Sequence, residues 1–229
     1  MYETNYNTPT AELALYYSNN ASALLLTATN TATARNWATI AVEVKAGTNC
    51  SGTINISDAF TRGDSADLGT TWTTVTSEQN MQLLANSCQN ASAGSDCGEY
   101  YSGYTWPPDQ SSEAAITVVG TDAGTGGGVM VRCSSTARSY YRAVIDQDGE
   151  WAVMKVTAGT PSNFTTGTTT YVAGAVLKLS IVGTTLVTTY NGVQLDSRSD
   201  STFSSGSPGV TYAALTTSCI IDNWVGRVP

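Results

Sequence analysis

Between residues 36 and 45 the chain reads NWATIAVEVK. Ala38, Ile40, Val42 and Val44 fall on one face, and Trp37, Thr39, Ala41, Glu43 and Lys45 on the other. That period of two predicts a half-buried strand. Two earlier runs, ELALYYS at 11–17 and ASALLLTAT at 21–29, read as short strands around the turn SNN. From residue 54 onward strand-like segments recur at 54–60, 71–76, 80–88, 112–120, 127–134, 139–146, 150–157, 175–182, 184–190, 193–199 and 209–225, with Gly, Asn and Asp turns between them. This is the rhythm of an antiparallel sandwich. In TLVTTYNGVQL, Asn191-Gly192 is the dipeptide of a type I′ hairpin, whose two central residues need positive φ. Asp148-Gly149 in VIDQDGEWAV is a second signal of the same kind. The Gly-rich stretch GTDAGTGGGV at 120–129 has no helix after it, so it reads as a flexible hairpin loop and not as a phosphate cradle.

The pattern therefore predicts an all-β fold, an antiparallel β-sandwich preceded by a short N-terminal β-segment. Residues 1–48 form that segment, 49–54 a linker, and 55–229 the main domain. A few strands in 48 residues are too little for an independent domain. Their apolar faces call for a partner, which makes the segment a docking or assembly element.

Composition narrows the chemistry. Only 12% of the 229 residues are charged, so Thr, Ser, Asn and Gln must supply the polar surface. Net charge is −8 with 10 Lys and Arg in all, which argues against a phosphate backbone or an anionic membrane as partner. There is no histidine, which removes Ser-His-Asp and Cys-His nucleophiles and His-ligated zinc. No apolar run approaches the ~20 residues of a membrane span. The opening MYETNYNTPT has neither a basic nor an apolar export region, so the sequence reads as lacking a signal peptide. Of five cysteines, Cys88 and Cys97 flank NASAGSD closely enough to suggest a local disulfide, with all five as small buried residues or free thiols the alternative.

The order of elements resembles the concanavalin A-like lectin/glucanase superfamily, in particular the laminin-G-like jelly-roll modules of bacterial and phage surface proteins. The resemblance rests on DAFTRGDSADLGTTWTTV at 58–75, TWPPDQSSEAAITV, GGVMVRCSSTARSYYRAVI, VAGAVLKLSIVGTTLVTTYNGVQL, SGSPGVTY and IIDNWVG, and covers about residues 55–229. It implies two stacked, curved antiparallel sheets with one concave face. Relatives hydrolyse β-glucans there, bind glycans there or at the loop rim beside a calcium ion, or serve as structural and adhesive modules. The hydrolases' Glu-x-Asp-x-x-Glu strand is absent. Asp146, Asp148 and Glu150 come nearest to it but straddle a turn.

Glycan or partner contact is expected at Tyr100, Tyr101, Tyr104 and Trp106 in GEYYSGYTWPPDQ, and at Arg132, Tyr141 and Arg142 on central strands, where one of Tyr140 and Tyr141 must point inward. Trp72 and Trp151 read as core. Asp58 and Asp222, on the first and last strands, are the candidate holders of a cation such as calcium. The resulting expectation is a non-catalytic module, with no cofactor required. It would sit on a virion surface as a phage capsid decoration or tail-associated protein, or otherwise be extracellular. Its partners would be protein subunits (a homo-oligomer such as a trimer, or a capsid or tail shell) and cell-surface glycans. A secreted carbohydrate-binding module is the alternative, and a glycoside hydrolase the less favoured one.

Overall fold

The computed structural model describes residues 10–15, 24–29, 54–91, 94–118, 126–213 and 219–229. The chain divides into two compact units, Met1–Cys50 and Ser51–Pro229. In the first, β1 (Thr10–Leu15) and β2 (Leu24–Thr29) pair antiparallel. The strand expected at 36–45 lies outside the described residues.

The second unit runs β3 (Ile54–Asp58), β4 (Trp72–Thr74), β5 (Met81–Leu84), β6 (Ser87–Asn90), β7 (Cys97–Tyr101), β8 (Gln110–Val118), β9 (Gly126–Cys133), β10 (Tyr140–Ile145), β11 (Glu150–Thr157), β12 (Thr160–Thr168), β13 (Ala175–Val182), β14 (Thr185–Tyr190), β15 (Val193–Ser199), β16 (Ser207–Ala213) and β17 (Cys219–Val228). Every described element is a strand. One sheet has the order β12-β11-β10-β9-β16-β7-β4, and the other the order β15-β14-β13-β8-β17-β6-β5, with β3 added on β17. All the ladders are antiparallel.

The core lies between the sheets. On β13 Ala175, Leu177, Leu179 and Ile181 are buried, while Val176 and Val182 are exposed, so alternation places one face inward. Ala114 and Ile116 of β8, Tyr141, Ala143 and Ile145 of β10, and Ile221 and Trp224 of β17 meet them. A run of aromatic contacts leads from this core to one rim. Trp72 packs on Trp224 at 4.7 Å, Trp224 stacks on Tyr101 at 5.4 Å, and Tyr101 meets Trp106 at 6.3 Å. The Trp224 indole N–H donates to Ser112 Oγ at 2.8 Å, which settles its one polar atom in the core.

Several details differ from the sequence expectation. The segment 80–88 is not one strand. Ala85 and Asn86 take φ of 51° and 59°, and the chain doubles back as the β5–β6 hairpin. The segment 209–225 is two strands in opposite sheets, β16 and β17. β7 and β12 are additional. Asn191-Gly192 makes its two-residue turn with φ of 48° and 79°. At Asp148-Gly149 only the glycine has positive φ, so that hairpin closes by a different turn. Gly126, Gly127 and Gly128 are strand and not loop. A Cβ on Gly127 would sit 2.1 Å from Cys219 Sγ, and one on Gly128 would sit 2.1 Å from the Ala143 carbonyl.

The expected Cys88–Cys97 clasp is corrected. Cys88 lies in β6 and Cys97 in β7, strands of opposite sheets, and no disulfide joins them; both are buried, as are Cys133 and Cys219. Burial in apolar surroundings raises the thiol pKa of Cys88, Cys133 and Cys219.

Candidate functional site

The outer face of the seven-stranded sheet carries the residues that alternate with the core set. Tyr141, Ala143 and Ile145 point inward, so Tyr140, Arg142 and Val144 point outward. The middle of this face is filled by the protein itself. Glu78, with a fully buried side chain, accepts from Arg138 Nε at 2.7 Å and from the Tyr140 hydroxyl. Its Oε2 faces Gly98, where a Cβ would approach to 2.5 Å, so glycine makes room for the carboxylate. Asp96 pairs with both Arg138 and Arg142. Arg142, 3% exposed, also donates to Met154 Sδ. It is a buried structural cation and does not present itself to a ligand.

At one end of this face lies a cleft of about 340 Å³, lined by Tyr100, Ser102, Tyr104, Thr105, Trp106, Ser135, Gly206 and Ser207. Tyr104 stands edge-on to Trp106 with ring centroids 5.1 Å apart. Trp106 is fixed by its indole N–H on the Tyr101 carbonyl at 3.1 Å. Tyr101 points the other way, into the core, and is not part of the cleft. Three of the four expected aromatics therefore converge here, joined by hydroxyls and a glycine from two distant loops. Sequence reading missed Ser135, Gly206 and Ser207 because no local pattern announces which loops will share a rim.

Two buried polar side chains build that rim. Arg132 donates to the carbonyls of Pro108 at 3.0 Å, Phe203 at 2.7 Å and Gly183 at 2.7 Å. Gln110 donates to Pro107 and Gly206 carbonyls at 2.8 and 2.9 Å, and accepts the Arg132 amide at 3.1 Å. Arg132 is 3% exposed with φ of 50°, so it ties loops together beneath the surface and does not contact a ligand directly. Tyr141 is likewise internal. Its hydroxyl donates to Asp200 at 2.5 Å and accepts the Phe203 amide at 3.0 Å, and burial together with Asp200 pushes its pKa up to about 12. Trp72 is in the core, and Trp151 packs against it over Gly167.

The cation expected at Asp58 and Asp222 does not fit. Burial would raise the Asp58 pKa, but hydrogen bonds from Arg62, the Phe60 amide and the Trp72 indole outweigh it and hold the carboxyl below its usual range. Those donors occupy both oxygens: Arg62 bidentate at 2.6 and 3.0 Å, Phe60 N at 2.8 Å and Trp72 Nε1 at 2.9 Å. Asp58 lies opposite Trp224 and Asp222 opposite Ala115, so the two are not paired across the ladder. Among the described residues no three acidic or sulfur groups gather as metal ligands.

A second cavity, of about 280 Å³, opens at the other end of the outer face, beside the β10–β11 hairpin and the edge strand β12. Val144, Trp151, Ala152 and Met154 form its apolar part, with Asp146, Glu150, Asn163, Thr166 and Thr168 around them. Burial raises the Asp146 pKa, with Glu150 and Asp148 nearby adding to the effect against the hydrogen bonds of their backbone amides.

No protein-family model matches the sequence, and no curated protein matches it. Solved structures do match in shape. A carbohydrate-binding module from Bacillus subtilis is 22% identical, with a TM-score of 0.57 over 67% of this chain and 93% of that one. A Bacillus licheniformis β-glucanase is 8% identical, with a TM-score of 0.55 over 76% and 98%. The carbohydrate recognition domain of Emp47p is 17% identical, with a TM-score of 0.53 over 79% and 98%. At these identities the likeness is one of architecture. The chain has the concanavalin A-like jelly-roll fold.

Proposed function

We propose that the Ser51–Pro229 unit is a non-catalytic glycan-binding module whose sugar site is the rim cleft. The observation that carries this reading is the lining itself: the partly exposed Tyr104, backed by the nearly buried Tyr100 and Trp106, beside the hydroxyls of Ser102, Thr105, Ser135 and Ser207, with no charged side chain. Aromatic faces cover the apolar C–H surface of a sugar ring while hydroxyls exchange hydrogen bonds with its own. A cleft of about 340 Å³ is at the small end of ligand sites, so the ligand is a short neutral oligosaccharide. The fold shared with a carbohydrate-binding module and a carbohydrate recognition domain supports a glycan partner. Hydrolysis needs two carboxyls about 5–9.5 Å apart, and the rim cleft has none in its lining.

The setting we propose is a surface-exposed particle, such as a phage capsid or tail, with residues 1–48 docking the module to protein subunits or to further copies of itself. The weakly charged, Thr- and Ser-rich composition and the separate first unit support it. A secreted module would share the sugar site and differ only in setting.

The test is a titration of the full chain with a panel of neutral oligosaccharides, repeated with Tyr104→Ala. Tyr104 is only partly buried, so the variant should stay folded, with a modest loss of stability, and bind at least about tenfold more weakly. Unchanged binding by a folded Y104A protein, or no retention of any neutral glycan, would sink the reading. Reducing-sugar release from β-glucans would overturn its non-catalytic part.

A further inference from the structure

The carboxylates of Asp58, Glu78, Asp96, Glu113, Asp196 and Asp200 are each 20% exposed or less, and each holds an Arg or Lys. This is what burial of an anion requires, since desolvating a lone charge is costly. Among the described residues two acidic side chains, also nearly buried, have no such partner. Glu99, 2% exposed, is enclosed in the core on the Met81 amide and lines neither the rim cleft nor the second cavity. Asp146, 4% exposed, opens on the cavity beside the β10–β11 hairpin. Its carboxylate accepts the Glu150 amide at 2.8 Å and the Asp148 amide, and the charged groups acting on it are the carboxyls of Glu150 and Asp148. Arg142, on the strand that ends just before Asp146, turns its guanidinium to Asp96 and Met154. No Lys or Arg lines the cavity, whose apolar part is Val144, Trp151, Ala152 and Met154.

We infer that this cavity binds an amine-bearing sugar, whose ammonium supplies the cation that Asp146 lacks. Glu150 is the second carboxylate at the same wall. The C–H face of the ring lies on Val144, Ala152 and Met154, and its hydroxyls meet Asn163 and Thr166 of β12. The site is separate from the rim cleft, shares no residue with it, and does not rest on the neutral-glycan reading.

The experiment titrates the full 229-residue chain with glucosamine, glucose and N-acetylglucosamine at mildly acidic pH, following backbone amide resonances by NMR. Glucosamine should give saturable shifts in residues 146–152 and 163–168. Glucose and N-acetylglucosamine, which carry no ammonium, should bind there at least about tenfold more weakly, the loss of one charge-assisted contact. Asp146→Asn keeps an acceptor for the Glu150 amide and should weaken glucosamine by a similar factor. If D146N does not fold, Glu150→Gln is measured in its place and should weaken glucosamine at least about threefold. Tyr104→Ala should leave glucosamine binding unchanged, so failure at either site is told apart from failure at the other. Equal binding of glucose and glucosamine, insensitivity to the carboxylate substitutions, or the absence of saturable shifts at the cavity would overturn the inference.

Discussion

The carboxylate of Glu78 and the guanidinium of Arg138, sixty positions apart in sequence, meet at 2.7 Å over the outer face of the seven-stranded sheet. The Glu78 side chain has no exposed surface, and its Oε2 has no hydrogen-bond partner. Removing the cation would leave a buried carboxylate against Gly98, with the Tyr140 hydroxyl as its remaining donor. Arg138→Met should therefore cost about 3–5 kcal/mol in urea unfolding, and the double variant E78M/R138M should recover a large part of that. A loss below about 1 kcal/mol in R138M would show that the pair does not anchor this face.

Glu99 makes stability depend on pH. Burial raises its pKa to about 7 from an ordinary 4.5, against the opposing hydrogen bond from the Met81 amide. The folded state thus holds this proton more tightly than the unfolded chain. Its contribution is full below about 4.5, shrinks as pH rises, and is lost as pH passes through about 7. Unfolding free energy should decline across that window by an amount on the order of 3 kcal/mol, and Glu99→Gln should flatten the decline. A slope identical in both proteins would refute the assignment.

Gly226 sits on β17 where two indoles converge. A Cβ there would approach Trp106 to 2.5 Å and Trp224 to 2.8 Å. Both indoles are anchored through their N–H groups, to the Tyr101 carbonyl and Ser112 Oγ, so neither can swing aside cheaply. Gly226→Ala should destabilise by about 1–3 kcal/mol and perturb the tryptophan fluorescence of the folded protein. An unchanged spectrum and midpoint would contradict the packing.

Arg132 offers a separate handle on the rim. Lysine cannot reach three carbonyls from one planar fork. Arg132→Lys should cost at least about 2 kcal/mol through lost charged hydrogen bonds. It should also weaken neutral-glycan binding without touching the sugar, because Pro108 and Phe203 lose their tether. Binding unaffected in a destabilised R132K protein would separate the tether from the cleft.

The legibility of this fold in sequence follows from which patterns are local. β13 alternates buried and exposed positions and is visible at once. Asn191-Gly192 marks its turn because few dipeptides accept two positive φ values. β12 is not visible, because an exposed edge strand reading TPSNFTTGT has no apolar face to repeat. β9 is buried along its whole length. Its outer side is covered by Tyr140 and Glu78, and nothing within the segment says so. Alternation required one of Tyr140 and Tyr141 to face inward but could not say which, and the Met130 and Val131 registers decide for Tyr141. Arg132 and Arg142 look like ligand contacts in sequence because their partners are backbone carbonyls and a carboxylate on remote loops. The aromatic stretch was legible as chemistry. Its second wall, from Ser135 and Ser207, needed the folded chain.

The four described thiols are distributed over β6, β7, β9 and β17, two in each sheet, and all are buried. Each is therefore silent toward an alkylating reagent until its own strand leaves the sandwich. The rate at which each cysteine reacts counts how often that part of the domain opens. The protein thus carries built-in reporters of its own breathing on both sheets, readable by alkylation and mass spectrometry without engineering new cysteines.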